Sequence, residues 1–202
     1  MLFIGYAAMT VPFVFALAGL IKKEFHEWIN IALPWTLAAS ALLGLGIMLG
    51  AFWAYETLGW GGFWGWDPVE NSSLIPWLTS VALIHTMLVQ RKTKGLIRTN
   101  FALAIISFVL VLYATFLTRS GILGDISVHS FGEPGKLVYT LLMGFQITFT
   151  LIAVWVFIIR FKDISKAASN SSFKPSSREF MLSIGAIVIL ALTTIVFLGT
   201  SW

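Results

Sequence analysis

Six long stretches without a single Asp, Glu, Lys or Arg constrain this chain more than any other feature. They are Met1–Ile21, Trp28–Tyr55, Asn71–Gln90, Thr99–Thr118, Leu137–Ile159 and Phe180–Trp202. Each holds roughly 20 or more residues, the length an α-helix needs to cross the hydrocarbon of a bilayer. Inside lipid the backbone must satisfy its own hydrogen bonds, so such stretches are expected to be helical. None alternates polar and apolar residues with period two, which argues against a β-barrel. With 58% hydrophobic and 11% charged residues, the chain lacks the charge a soluble domain needs to cover its surface. The expected fold is an all-α integral membrane protein with six transmembrane helices. They are placed near 1–21, 33–55, 68–90, 99–118, 137–160 and 180–201, in a single membrane domain over residues 1–202.

The net charge of +4 reports topology. Eleven of the thirteen Lys and Arg residues lie in three alternate connections: Lys22 and Lys23; Arg91, Lys92, Lys94 and Arg98; Arg160, Lys162, Lys166, Lys174 and Arg178. The other connections hold only Arg119 and Lys136. Under the positive-inside rule the basic connections are cytoplasmic and both termini lie outside. No nucleic-acid partner is implied. With no cysteine, disulfides, thiolate catalysis and cysteine-ligated metals are excluded. Met1–Ile21 has neither a basic start nor an evident cleavage site, and is expected to be a retained helix rather than a signal peptide.

Chemistry is expected in the two outer loops, Glu56–Asp67 and Arg119–Lys136. The first contains Trp60, Phe63, Trp64 and Trp66, spaced by Gly61, Gly62 and Gly65 and followed by Asp67-Pro68-Val69-Glu70-Asn71. Interfacial anchoring accounts for isolated tryptophans such as Trp28, Trp35, Trp155 and Trp202. It accounts poorly for four large aromatics in seven residues. Glycines let the backbone fold tightly, so that the rings can share one face, suited to a large, flat, apolar ligand with a polar rim such as a porphyrin. Asp67, Pro68 and Glu70 have the order of a helix start with a capping box.

The second span carries Gly44, Gly46 and Gly50, small residues where another helix or a flat ring can approach closely. The three histidines differ in setting. His26 sits with Glu24 and Glu27 in a cytoplasmic loop. His85 lies inside the third span, about 7 Å from its basic end. Two readings stand for it, a packing histidine bonded to a neighbouring helix and a functional intramembrane group. His129 lies in the second outer loop, where a neutral imidazole suits haem iron. Arg119 is either a snorkelling helix end or the partner of a carboxylate such as a haem propionate.

These residues resemble the CcmF-type haem lyase family of cytochrome c maturation, which includes a nitrite-reductase assembly homologue. The resemblance runs through Gly5-Tyr6, Pro34-Trp35-Thr36, Gly46 to Gly50, the segment 60–71, Phe116 to Gly121, Ser127-Val128-His129-Ser130-Phe131 and Leu198-Gly199-Thr200. The tryptophan segment alone is shared with the haem-handling relatives CcmC and CcsA. The resemblance implies that Trp60, Trp64, Trp66 and Asp67 belong to a haem platform. It implies that His129 is an outer axial ligand and that His85 holds a separate membrane haem b. It further implies a CcmE-like haem chaperone, apocytochrome c and CcmH-like maturation subunits as partners, at the outer face of a bacterial inner membrane. The sequence departs from the family at Phe63, where many members have Trp. It also begins after the family's His-Pro-Pro, which carries the second outer ligand, and the family continues beyond Trp202. The expectation is a middle part of a longer lyase, inactive alone. Other classes open on sequence are a non-catalytic haem-binding subunit, a haem transporter or exporter, and a b-type electron-transfer protein.

Overall fold

The computed structural model describes residues 1–57, 62–124, 126–127, 132, 134–168 and 174–201. All regular structure among them is helical: α1 Leu2–Ala8, α2 Thr10–Lys22, α3 Trp28–Thr57, α4 Pro68–Thr93, α5 Ile97–Arg119, α6 Lys136–Ala167 and α7 Arg178–Ser201. α1 and α2 form one span, so six helical segments are long and apolar enough to cross a membrane. The break at Met9 has a local cause. Pro12 cannot donate to the carbonyl of Ala8, and its ring crowds that carbonyl.

The expected spans are present, with two ends moved. α3 begins at Trp28 rather than near residue 33, because Pro34 is accommodated inside the helix. The connection from α2 is correspondingly shorter. α6 continues past Arg160 to Ala167. Its added turns are polar, and Arg160 pairs with Asp163 at 3.6 Å while Lys23 reaches the same carboxylate at 3.3 Å.

Helices α4 and α5 are the centre of the bundle. In their apolar windows 61% and 56% of residues are buried, against 11% in both α6 and α7. The core is aromatic at its densest point: Phe13 of α2 stacks on Phe108 of α5 at 4.3 Å, and Trp28 of α3 on Phe101 of α5 at 4.5 Å. Between membrane helices such van der Waals fit is the main attraction. Small residues permit it. A Cβ added to Gly5 of α1 would lie 2.5 Å from the Cα of Leu43, so α1 meets α3 backbone to backbone there.

One polar network is bonded within the core. Asn100, fully buried, donates through Nδ2 to Gln90 Oε1 at 2.7 Å and to the Thr86 carbonyl at 3.1 Å. Gln90 Nε2 donates in turn to the Phe25 carbonyl at 2.9 Å. This network ties α4, α5 and the short α2–α3 connection together at the end of the bundle that carries the basic connections. The opposite end carries the tryptophan segment.

Candidate functional site

The site grows from the start of α4. Asp67 is the N-cap: its Oδ2 accepts the Val69 N–H at 2.9 Å. Glu70 completes a capping box, its Oε2 accepting the Asp67 N–H at 3.4 Å and the Gly65 N–H at 2.8 Å. Two donors that a helix start leaves orphaned are thus satisfied by residues four positions or fewer apart. Asn71, which sequence reasoning assigned no role, adds a splint. Its Oδ1 accepts the Trp64 indole N–H at 3.3 Å, and its Nδ2 donates to the Trp66 carbonyl at 3.0 Å. The side chains of Glu70 and Asn71 therefore hold the three residues that precede the cap.

Trp66 pays a conformational penalty for its place: its φ is +56°, the left-handed region that bulky L-residues avoid. The ring is two-thirds exposed. Residues held in this region persist only where their surroundings over-determine them, and functional sites are where they gather.

Among the described residues, Phe63, Trp64 and Trp66 do not share one face. Trp64 and Trp66 meet edge to face, 84° apart with centroids at 6.4 Å. Phe63 turns away and stacks on Tyr55 of α3 at 4.5 Å and 6°. The expected flat platform is instead a corner above a groove. The groove, about 360 Å³, is lined by Trp64, Trp66, Leu74 and Trp77 on one side and by Gly44, Ile47 and Met48 of α3 on the other. Trp77 sets its depth. Its indole N–H donates to the Ser40 carbonyl at 3.1 Å, and its ring lies so close to Gly44 that a Cβ there would be 2.6 Å from Nε1. The three glycines of α3 thus have separate roles. Gly44 receives the Trp77 ring, Gly46 receives the start of α1, and Gly50 has nothing within 4 Å.

A second loop reaches the same end of the bundle. Ser127 donates through its hydroxyl to Asp67 Oδ2 at 2.7 Å, across 60 residues of sequence. Arg119, at the end of α5, places its guanidinium 5.4 Å from the centre of the Phe3 ring. Trp60 and His129 lie outside the described residues.

His85 is far from this end. It lies eighteen residues down α4 from Asp67, about 27 Å along a straight helix. Its Nδ1 stands 2.7 Å from the Val81 carbonyl. That contact is a hydrogen bond only with the proton on Nδ1, which in a neutral ring leaves Nε2 as the nitrogen with the free lone pair. Against the ring lies Gly185 of α7, where a Cβ would sit 3.5 Å from Cδ2. The structure therefore brings Trp64, Trp66 and Asp67 together, sets Arg119 at the same end, and leaves His85 apart.

Comparison with known proteins now bears on this arrangement. The family model described as cytochrome C assembly protein matches residues 1–123. The chain is 41% identical to the cytochrome c-type biogenesis protein CcmF of Haemophilus influenzae, over 99% of this chain and 30% of that protein. It is 41% identical to the cytochrome c-type biogenesis protein ccl1 of Rhodobacter capsulatus, over 100% and 30%. For CcmF of Escherichia coli the identity is 37%, over 99% and 30%. A solved structure, the cytochrome c heme lyase CcmF, matches with a TM-score of 0.75 at 33% identity, covering 98% of this chain and 29% of that one. The chain thus spans about three-tenths of the length of these relatives. With the family model covering more than half of the chain, and sequence and fold agreeing along its whole length, this multi-pass membrane protein belongs to the cytochrome c assembly family and is of the CcmF type.

Proposed function

We propose that this chain is the haem-handling core of a cytochrome c haem lyase. In this reading haem is held at the tryptophan end while it is joined to apocytochrome c. The observation that carries the reading is the groove beneath Trp64 and Trp66. Its walls are aromatic and aliphatic, and the indole N–H groups of Trp64 and Trp77 are already bonded, to Asn71 and Ser40. A carboxylate finds no partner inside it, whereas the apolar edge of a macrocycle does.

In this reading Trp60, Trp64 and Trp66 pack against the macrocycle, and Asp67 fixes the backbone that presents them. His129 supplies a neutral imidazole to the iron, and Arg119 serves a propionate. Bound haem supplies the vinyl carbons on which thioether bonds to cysteine form. The chain's own residues bind, orient and exclude water. His85 serves a separate membrane-embedded haem b through Nε2, the nitrogen its bond to Val81 leaves available. The partners are a CcmE-like haem donor, apocytochrome c, CcmH-like subunits and the remaining parts of the lyase.

The bacterial relatives support a bacterial inner-membrane location, and the alternating charge supports the tryptophan end on the periplasmic side. Cysteines introduced as Gly62→Cys and Lys94→Cys should then react with impermeant reagents from opposite faces, and labelling from one face would defeat this orientation. The haem reading is tested on protein purified from membranes with its co-purifying subunits. Trp64→Ala and Trp66→Ala should each lower bound haem, and Trp155→Ala, on the exposed side of α6, should not. Equal haem in all three would reduce the cluster to interfacial anchors.

A further inference from the structure

Two faces of α6 differ in what they touch. Ala153, Val156 and Ile164 are buried in the bundle. The opposite stripe, at every third or fourth residue, is Leu151, Trp155, Ile158, Lys162 and Lys166. We propose that this stripe binds an anionic phospholipid: Lys162 and Lys166 take the headgroup phosphate, and an acyl chain lies along Ile158, Trp155 and Leu151. The inference needs only that α6 crosses a bilayer, and it stands apart from the haem reading.

The distribution of polarity along the stripe matches such a lipid. Leu151, Trp155 and Ile158 are each nearly two-thirds exposed. Lys162 and Lys166 are exposed on the next two turns, about 6 and 12 Å beyond Ile158 along the axis. Lysine stems lie on apolar surface while their ammonium groups stay in water, so both can reach a phosphate at the edge of the hydrocarbon. A partner helix fits the stripe less well. Close contacts between membrane helices favour small side chains, and from Leu151 to Lys166 the stripe has none.

The charge around the two lysines calls for an anion. Asp163 is the acid nearest them in sequence, and its Oδ2 already serves two cations, Lys23 Nζ at 3.3 Å and Arg160 Nη1 at 3.6 Å. Arg160 Nη2 turns to the Ile21 carbonyl at 3.4 Å, and Arg160 Nε is buried with no hydrogen-bond partner. Among the described residues neither Lys162 nor Lys166 has an ion-pair partner. At the start of α5, Arg98 lies over the Phe161 ring at 5.1 Å and adds a further cation to the same end. Positive charge is therefore in excess along this flank of α6. A zwitterionic headgroup brings its own cation and gains little there, whereas an anionic one is attracted.

The test places the protein, purified with its co-purifying subunits, in phosphatidylcholine bilayers containing a minor fraction of phosphatidylglycerol. Spin-labelled phosphatidylglycerol should be immobilised on the protein in preference to spin-labelled phosphatidylcholine, and high salt should weaken the preference. Lys162→Gln and Lys166→Gln should each lower it about fivefold. Arg91→Gln combined with Lys92→Gln removes as much charge at the same end, beside α4, and should leave most of the preference in place. Both lysines are exposed, so the thermal midpoint of each variant should match the wild type. Equal immobilisation of the two lipids by the wild type would overturn the site, whether the stripe is covered by another part of the lyase or takes no lipid at all. A loss as large in the Arg91→Gln, Lys92→Gln variant would replace the site by the general field of the basic connections. Release of the label by inorganic phosphate at matched ionic strength would make the ligand a soluble anion, and would overturn the lipid site too.

Discussion

The two ends of α4 solve the same problem differently. At its start, every group that presents Trp64 and Trp66 is itself held: Asp67 by the cap and Ser127, Gly65 by Glu70, Trp66 by Asn71. Fourteen residues past Asn71 the helix carries His85 with one local bond, to Val81, and a glycine of α7 against its ring. The first site is preorganised by a network across several elements. The second is a single imidazole oriented by one local bond, with Gly185 of α7 against its ring. Preorganisation of this kind lets a ligand bind without ordering the protein first.

The sharpest way to break this comparison is to remove one site at a time. If the two ends serve different haems, His85→Ala should abolish a b-type absorption feature and leave haem at the tryptophan end largely in place. Trp66→Ala should do the reverse. The expected effect is near-complete loss of one spectral component in each case. Loss of both components in either variant would mean that the ends of α4 are one site in function, whatever the distance along the helix.

A smaller effect follows from the glycines. Gly44→Ala would put a Cβ 2.6 Å from the Trp77 indole nitrogen, which is bonded to Ser40 and has no freedom to retreat. Overpacking of this kind costs about 1–3 kcal/mol, so the thermal midpoint in detergent should fall and haem retention with it. Gly185→Ala would meet His85 at 3.5 Å, an ordinary contact. Replacing Gly by Ala inside a helix gains up to about 1 kcal/mol, so this midpoint should hold or rise. Equal losses in the two variants would show that the His85 end is as tightly built as the other.

How much of this was legible in the sequence depends on the range of the interaction. The spans follow from composition alone, because a bilayer permits few alternatives. The capping box at Asp67 and Glu70 is local, and its spacing announces it. The Ser127–Asp67 bond was invisible because nothing local in either segment encodes a partner 60 residues away. The groove was missed for a related reason. Trp77 lies eleven residues beyond Trp66 in the sequence, and only the crossing of α3 and α4 turns it under Trp64 and Trp66. The shared aromatic face failed on backbone geometry. Glycine freedom suggested that the rings could align, but the left-handed turn at Trp66 itself sets them 84° apart. The expected start of α3 near residue 33 is too late, because Pro34 lies inside the helix and the six residues before it are helical.

The smallest expected effect tests that turn directly. Trp66 sits at φ +56° with its ring mostly exposed, so the residue contributes little burial while its backbone is strained. Trp66→Ala and Trp66→Gly remove the same ring and differ mainly in what the backbone tolerates. Ala retains the clash between Cβ and carbonyl that makes left-handed backbone costly, about 1 kcal/mol or slightly more, and Gly does not. Both variants should lose haem equally, yet the Gly variant should be the more stable by roughly that amount, seen as a higher thermal midpoint. Such a result would separate the conformational cost of the tryptophan from its use to the ligand. If Ala proves as stable as Gly, the turn relaxes once the ring is gone. The strain would then come from the ring's own contacts, and the hydrogen bonds from Asn71 and Glu70 would not be what enforces it.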